Sequence, residues 1–381
     1  MGLNVLVIGA GMYVAGRGTD SYGTILPSLF RAVKEGKIAT ISVASTTTTS
    51  SEQLLEKAAG LNKLMGTKIL VEVSQDYNQF LAEDSRPDCV FVSTPDHTHF
   101  EITKKFIENK VPCMVVKPLA PTLAEVKKLI DLQTKHETYG AVEFHKRFDK
   151  SNLMLKEALT SGRLGEPLYF LVQYSQKKSI PTEVFKSWVD QTNIFQYLGI
   201  HYVDIIYFVT GATPLRVMAL GQKSYLPSVG VDNYDSIQAM IEWQMPSGHL
   251  FNSSFVTNWI ESEKAPAMSD QRIKVVGTLG KFEANQKDRG IHHLDDSGYQ
   301  EPNPYFSAYF PNAKGEKELS GYGVESLLTF IDDIKALKSG KNSWQDYEEN
   351  RATFSQSLVP TQVIEAANQS LRKNGQWITL S

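Results

Sequence analysis

The sequence predicts a two-domain α/β protein, with a doubly wound parallel sheet in the N-terminal domain and a C-terminal α+β domain built on a large, mainly antiparallel sheet. Its 381 residues exceed the usual size of a single hydrophobic core. Short apolar runs alternate with amphipathic stretches up to about residue 144, whereas later apolar runs follow one another without a helix between each pair. We therefore place the domains at residues 1–144 and 145–381.

The N-terminal strands are predicted from continuous apolar runs, which are typical of a parallel sheet covered by helices on both faces. These runs are 3–8, 39–44, 68–73, 88–93, 113–116 and 139–142. The clearest helical patterns between them are 99–109 and 123–136.

The C-terminal domain is predicted from neighbouring strand patterns with helices around them. The strand patterns are 236–244, 250–257, 272–276 and 281–284, with a last strand at 377–380. The helical patterns are 195–209, 324–337 and 352–372.

The composition argues against several classes of protein. The 39 basic and 42 acidic residues leave a formal net charge of -3, which gives no attraction for nucleic acid. Cys89 and Cys113 lie in apolar runs without disulfide or zinc spacing, and the histidines lack a ligand pattern, so we expect buried thiols and no metal. With no membrane-length apolar span and no leader pattern, we interpret the protein as cytoplasmic.

Gly9 and Gly11 follow the first strand directly, where a Rossmann fold binds the pyrophosphate of a dinucleotide. The third glycine of the usual fingerprint falls at Val14, and we expect an extended loop over 12–21 before the next helix. A glycine-rich turn in another α/β fold is the alternative. The candidate cofactor contacts in this loop are Met12, Tyr13 and Arg17, the last being otherwise a surface arginine.

The end of the second strand bears on which dinucleotide binds, because an acidic residue there usually holds an unmodified adenosine ribose. This sequence has Ser45 and Thr46 at that place, and no carboxylate follows until Glu52. A 2′-phosphate would meet these hydroxyls without repulsion, which favours NADP over NAD. The alternative is a Ser/Thr turn that caps the following helix and needs no ligand.

Three short motifs make the pattern specific. They are Thr94-Pro95 with His99, Val116-Lys117-Pro118, and Tyr197-Leu198-Gly199-Ile200-His201. In this order they resemble the glucose-fructose oxidoreductase, inositol dehydrogenase and rhizopine-catabolism (Gfo/Idh/MocA) family, whose motifs are Thr-Pro with a later His, Glu-Lys-Pro and Asp-x-Gly-x-His. Similarity at 146–148, 161–167 and 277–280 extends the resemblance over nearly the whole chain. Val116 and Tyr197 stand where the family has Glu and Asp.

The resemblance implies an NAD(P)-dependent oxidoreductase that transfers hydride between its cofactor and a secondary hydroxyl or keto carbon of a sugar, sugar derivative or cyclitol. It also implies that the C-terminal sheet is open-faced and pairs subunits, so we expect a homodimer or homotetramer. The cofactor contacts that it implies are Thr94, Pro95, His99 and Lys117.

Oxidation of an alcohol needs a positioned base, and His201 is our candidate. Tyr197, His201 and Asp204 are spaced four and three apart, which predicts one helical face, with Tyr197 orienting the hydroxyl. Lys117 ends a strand at the carboxyl edge of the predicted sheet, where it would position the reacting oxygen and relay a proton. We expect the ammonium and the imidazole to meet beside the nicotinamide. A buried structural histidine and a solvated lysine are the alternatives.

The residues around the histidine are the candidate contacts for a sugar-like substrate, although core packing is the alternative for each. They are Trp188, Asn193, Gln196, Tyr197 and Tyr202. Arg147 is a candidate for binding a substrate anion, with an interdomain salt bridge as its alternative. Two other functions stay open: a glycoside-modifying enzyme whose tightly bound NAD allows transient oxidation and elimination, and a non-catalytic, dinucleotide-dependent sugar sensor.

Overall fold

The N-terminal part of the chain forms a six-stranded parallel sheet, which confirms the predicted doubly wound arrangement. The computed structural model describes residues 2–296 and 298–380. The strands are β1 (Leu3–Ile8), β2 (Ile38–Ala44), β3 (Val71–Ser74), β4 (Cys89–Val92), β5 (Cys113–Val116) and β6 (Gly140–Glu143). Their order is β3-β2-β1-β4-β5-β6, so the topology reverses between β1 and β4, where doubly wound folds bind ligands at the carboxyl edge.

Five helices connect these strands. They are α1 (Met12–Ala15), α2 (Ile25–Lys34), α3 (Thr48–Met65), α4 (His99–Glu108) and α5 (Leu123–His136). The extended loop predicted over 12–21 is partly wrong, because α1 forms one helical turn there and ends at Gly16, whose φ of 71° suits glycine.

The rest of the chain adds a second sheet and further helices. In chain order these elements are α6 (Lys150–Thr160), β7 (Pro167–Lys177), α7 (Ile200–Thr210), β8 (Thr213–Gln222), α8 (Tyr225–Ser228), β9 (Ser236–Gln244), β10 (Leu250–Glu261), β11 (Ser269–Gly277), β12 (Lys281–Asn285), β13 (His293–Asp295), β14 (Gly298–Gln300), β15 (Ala308–Pro311), β16 (Lys317–Ser320), α9 (Tyr322–Lys338), α10 (Leu358–Arg372) and β17 (Ile378–Thr379). Within residues 2–296 and 298–380, none of the helices combines the length and the apolar character needed to cross a bilayer.

The second sheet has seven strands in the order β12-β11-β7-β10-β9-β8-β17. Its neighbours are antiparallel except for β7 and β10, which run parallel, so the sheet is mixed but mostly antiparallel as predicted. The central strand β7 and the strand β8 are absent from the predicted set. One face of the sheet packs against α10 and the chain that leads into α7. The opposite face exposes large apolar side chains: Leu171, Leu220, Met240, Val256 and Ile260.

The chain divides into two compact units, and the division differs from the predicted domains in one segment. The first unit comprises Met1–His145 and Tyr305–Ser357, and the second comprises Lys146–Pro304 and Leu358–Ser381. The helix α9 returns to the first unit because its apolar face belongs to that core. The ring of Phe330 lies 5.3 Å from Phe91 and 5.6 Å from Tyr139. A helical pattern shows that one face is apolar, but not which sheet it covers.

Candidate active site

The loop after β1 has the backbone that a dinucleotide pyrophosphate requires. Gly9 has a φ of 113°, and a Cβ atom there would lie 2.0 Å from the carbonyl oxygen of Ser93. Glycine is therefore needed for β1 to approach the end of β4. A Cβ atom on Gly11 would meet nothing within 4 Å, so the backbone at Gly11 faces open space. This arrangement fits the phosphates of a dinucleotide.

The Ser/Thr segment after β2 caps α3, as the ligand-free alternative predicted. The Thr47 hydroxyl accepts a hydrogen bond from the backbone N–H of Ser50 at 3.1 Å. The hydroxyls of Ser45 and Ser51 are hydrogen-bonded at 2.8 Å. Thr46 is exposed beside them. The hydrogen bond to Ser51 thus engages Ser45 without a ligand, while Thr46 stays exposed at this end of the sheet.

A cavity of about 510 Å³ lies between the loop after α1 and the helix α3. Arg17 lines it, and its Nη1 donates a hydrogen bond to the Ser50 hydroxyl at 2.9 Å. Lys57 ties the loop to α3, because its Nζ donates to the carbonyl oxygens of Thr19 and Ser21 at 2.7 and 2.8 Å. The loop therefore places a guanidinium at the first turn of α3.

Lys117 follows β5 at the carboxyl edge of the first sheet. It is only 6% exposed, and the Lys117–Pro118 peptide bond is cis. Burial lowers the pKa of the Lys117 ammonium from 10.5 to about 8, while the carboxylates of Asp96 and Glu143 act in the opposite direction. A lysine with such a pKa can change its protonation state close to physiological pH.

His99 joins the loop after β4 to the turn after β5. Its Nδ1 lies 2.7 Å from the carbonyl oxygen of Pro118, and its Nε2 lies 2.8 Å from that of Thr94. The ring is 1% exposed, and burial lowers its pKa. Thr94 and Pro95 are half-buried, and the Thr94 hydroxyl is hydrogen-bonded to that of Thr98 at 2.7 Å. The geometry gives His99 the role of positioning both loops.

Tyr13 lies against a histidine that the sequence patterns did not single out. Its ring is stacked on His145 with centroids 6.0 Å apart. The His145 ring also packs against Phe306 at 5.2 Å and Tyr322 at 5.8 Å. Met12, next to Tyr13, is half-buried. The helix α1 therefore reaches the residues that follow β6.

In the second unit, His201 lies in the first turn of α7. The single helix predicted over 195–209 instead begins as a π-helical turn, Phe195–Gly199, a conformation that is frequent at functional sites. A Cβ atom on Gly199 would lie 2.4 Å from the Phe195 ring. His201 is 4% exposed, and its ring centroid lies 6.3 Å from that of Tyr174.

Tyr197 belongs to an aromatic cluster made of Phe185, Trp188, Tyr197 and Trp259. Its ring lies 4.7 Å from Phe185, 6.4 Å from Trp188 and 6.2 Å from Trp259. Trp259 is fully buried, whereas Trp188 and Tyr197 are half-buried. The cluster thus presents partly exposed aromatic surface from the two predicted substrate contacts.

Arg147 forms an ion pair with Asp204 within the second unit. Its Nε and Nη2 donate to the two carboxylate oxygens at 2.9 and 2.6 Å, and the side chains are 7% and 1% exposed. The alternative predicted for Arg147 was an interdomain salt bridge; the structure shows a salt bridge, but its partner Asp204 lies in the same unit. Asp204, which the spacing placed on one helical face with Tyr197 and His201, has its carboxylate engaged by Arg147.

Asn193, another predicted substrate contact, shapes the turn before α7. Its side-chain oxygen accepts a hydrogen bond from the backbone N–H of Gln196 at 2.9 Å. Its Nδ2 donates to the side-chain oxygen of Asn368 at 2.8 Å. Both ends of the amide are engaged, which explains the residue without a ligand.

The described residues also bring together Asp288, His292 and Glu301, whose ligand atoms lie within 4.8 Å of one another. The sequence spacing did not reveal this group. The Nζ of Lys287 lies 2.6 Å from Glu301 and 3.7 Å from Asp288. A lysine cation therefore already balances the two carboxylates.

Comparison with protein families identifies both parts of the chain. A model described as an oxidoreductase family with an NAD-binding Rossmann fold matches residues 3–144. A second model, described as the GFO/IDH/MocA C-terminal domain, matches residues 152–283. The matched segments contain the glycine loop, Lys117 and His201.

Curated relatives and solved structures agree with these matches. The myo-inositol 2-dehydrogenase of Thermotoga maritima is 26% identical over 283 residues, which cover 74% of this chain and 80% of that protein. The inositol 2-dehydrogenase of Rhizobium meliloti is 26% identical over 249 residues, which cover 64% of this chain and 70% of that protein. The scyllo-inositol dehydrogenase of Lactobacillus casei, solved with NAD(H) and scyllo-inositol, has a TM-score of 0.70 at 14% identity, with 100% and 99% of the chains covered. At this identity the structural likeness shows the fold.

Proposed function

The chain belongs to the Gfo/Idh/MocA oxidoreductase family, and from this premise we propose that it transfers hydride between NADP or NAD and a secondary hydroxyl or keto carbon of a sugar, sugar derivative or cyclitol. One observation carries the proposal: Lys117 is a buried ammonium at the carboxyl edge of a dinucleotide-binding sheet, with its pKa lowered to about 8. The inositol dehydrogenases among its relatives support a polyhydroxylated ring as the substrate.

The side chains of the protein handle the proton in this proposal. A bound nicotinamide would supply the hydride acceptor. Lys117, mostly protonated at neutral pH, donates a hydrogen bond to the reacting oxygen, and a pKa of about 8 suits it to relay a proton to or from that oxygen. His201 takes the hydroxyl proton, and the Tyr197 phenol orients the hydroxyl. A phenol keeps its proton at neutral pH, whereas an imidazole can accept one, which favours His201 over Tyr197 as the base.

The aromatic cluster supports a ring-shaped substrate. Sugars and cyclitols have apolar C–H faces that pack on aromatic rings. Trp188 and Tyr197 are the half-buried members of the cluster and are the contacts proposed for such a face.

We also propose a preference for NADP, which rests on Arg17. Its guanidinium lies at the first turn of α3, hydrogen-bonded to Ser50, and Thr46, which precedes this helix, is exposed. An adenosine 2′-phosphate at this end of the sheet would meet a cation and an N-terminal helix turn. We expect Arg17→Ala to weaken NADPH binding about tenfold, with little effect on NADH, in titrations of nicotinamide fluorescence. Tighter binding of NADH by the unmodified protein would contradict the preference.

Activity is tested with a panel of cyclitols and sugars plus NAD or NADP, read as nicotinamide absorbance. We expect net turnover that is lost in Lys117→Ala and in His201→Ala. Retained cofactor, no net reduction and cleavage of a chromogenic glycoside would instead support the glycoside-modifying function. Binding of sugar and cofactor without any reaction would support the sensor.

The exposed apolar face of the second sheet supports a homo-oligomer. Large side chains such as Leu171 on β7, Val256 on β10 and Leu220 on β8 are 41–46% exposed on one face of the sheet, an arrangement typical of an interaction surface. We expect a dimer or tetramer by light scattering, and a monomer after Leu171→Glu combined with Val256→Glu. A monomeric unmodified protein would contradict this assembly.

A further inference from the structure

The strand next to Lys117 ends in a buried carboxylate. The strands β5 and β6 run parallel, and Glu143 at the end of β6 is the register partner of Val116 at the end of β5. Lys117 follows Val116 directly. Glu143 is fully buried, with 0% of its surface exposed. The register therefore places an acidic side chain beside the turn that carries the lysine, although β5 itself ends in valine.

The two oxygens of the Glu143 carboxylate have different surroundings. Oε2 accepts a hydrogen bond from Nδ1–H of His145 at 2.8 Å. Oε1 is buried and has no hydrogen-bond partner among the described residues. Leaving a buried acceptor without a donor costs stability, so such a group calls for an explanation. His145 itself is held in the aromatic contacts with Tyr13, Phe306 and Tyr322.

The charge of Glu143 acts on Lys117. Three titratable groups interact electrostatically with Lys117. They are Asp96 before α4, Glu143 on β6 and His99 in α4. Burial disfavours the imidazolium of His99, which leaves the two carboxylates as the charges that oppose the burial of the ammonium.

We propose that Glu143 is a positioning residue for Lys117, and that its carboxylate, held by His145, keeps the ammonium charged at the carboxyl edge of the sheet. The inference deepens the proposed function, because Lys117 is the residue that this function uses. The carboxylate of Glu143 supplies, from the neighbouring strand β6, the negative charge that Val116 does not provide. Asp96 alone would leave the buried lysine with less compensation for lost hydration.

The test measures the titration midpoint of the Lys117 side chain directly and does not depend on enzymatic turnover. Protein labelled with [13Cε]-lysine is titrated by 1H–13C correlation spectroscopy, and Lys117 is assigned by the signal that Lys117→Arg removes. We expect the midpoint of Lys117 to fall by about one pH unit in Glu143→Gln. Glu72→Gln is the matched control, because Glu72 is an exposed glutamate on β3 of the same sheet, and we expect it to leave the midpoint unchanged.

Glu143→Asp keeps the charge and shortens the side chain, so we expect a midpoint between those of the unmodified protein and Glu143→Gln. It also serves if the glutamine variant does not fold. An unchanged midpoint in Glu143→Gln, or in Glu143→Asp where only that variant folds, overturns the proposal. An equal shift in Glu72→Gln overturns it too, since the effect would then belong to net charge. A protein that shows the shift but no turnover with any substrate refutes the proposed function and leaves this inference standing.

Discussion

Lys117 in the first unit and Lys146 in the second are both buried, yet their cations have different surroundings. Lys146 is 1% exposed, and its Nζ donates a hydrogen bond to Gln271. That Nζ also lies 5.2 Å from the ring centroid of Tyr174 and 4.9 Å from that of Tyr202. Burial lowers its pKa to about 7, with Asp149 acting to raise the pKa and Arg289 to lower it.

The difference shows what each environment does to a buried amine. Around Lys117 two carboxylates oppose burial, and the pKa stays near 8, so the amine is mostly charged at pH 7. Around Lys146 neutral groups make the direct contacts, and the pKa of about 7 leaves about half of the molecules uncharged at that pH. The first arrangement keeps most of the Lys117 amines charged at pH 7, as the proposed function requires, whereas Lys146 is held by a hydrogen bond and by packing on aromatic rings.

The largest expected effect comes from replacing each lysine by the similarly shaped methionine. We expect Lys117→Met to lower kcat at least about 1000-fold, because the reacting oxygen loses its proton donor. Lys146→Met should lower kcat less than about tenfold, since Lys146 serves packing. Steady-state rates with the substrate found in the panel measure both. Similar losses in the two variants would remove the distinction between the lysines.

A second prediction concerns the other buried cation of the second unit, Arg147, which is held by a direct ion pair. We expect Asp204→Asn to lower the free energy of unfolding by about 3–5 kcal/mol, because it leaves a buried guanidinium without its counter-charge. Urea denaturation measures the change. Asp232→Asn is the control, as Asp232 pairs with Lys223 at the surface, where about 1 kcal/mol or less is expected. Equal losses would show that burial of the pair does not matter.

The smallest effect is a pH dependence of stability. The pKa of Lys146 is about 7 in the folded protein against 10.5 ordinarily, so the unfolded chain binds the extra proton between these values. The unmodified protein should therefore gain stability relative to Lys146→Met as the pH rises, by about 2 kcal/mol between pH 7 and 8.5. The gain relative to Lys117→Met should begin about one pH unit higher, following its pKa of about 8. Thermal or urea denaturation at each pH measures both, and parallel curves for all three proteins would contradict the assigned environments.

The strands that contain long apolar runs could be predicted from the sequence. The strand β5 and the helix α5 have the predicted bounds, because each combines a clear pattern with a turn or cap signal at its end. The strand β7 was missed although it is central in the second sheet. The assignment of α9 to the second domain was wrong for a physical reason, since a helix with one apolar face fits either sheet until its partners are known.

Some residues of the candidate site could likewise be predicted from the sequence, and others could not. Gly9 and Lys117 could be found because short motifs follow strands at the carboxyl edge of a predicted parallel sheet. Glu143 and His145 could not be found, because their contact with the site depends on the register between β5 and β6. The engagement of Arg147 by Asp204 was equally hidden, as the two residues are 57 positions apart.

The return of α9 to the first unit has a consequence for how the chain is made on the ribosome. The core of the first sheet includes Phe330 and Ile331 of α9, which emerge long after β6. At usual translation rates of about 5–20 residues per second, the nascent sheet waits roughly 10–40 seconds for this helix. During that interval its uncovered apolar face is a natural binding site for a chaperone, so shortening the 305–357 segment should reduce the yield of native protein even where the residues of the site are untouched.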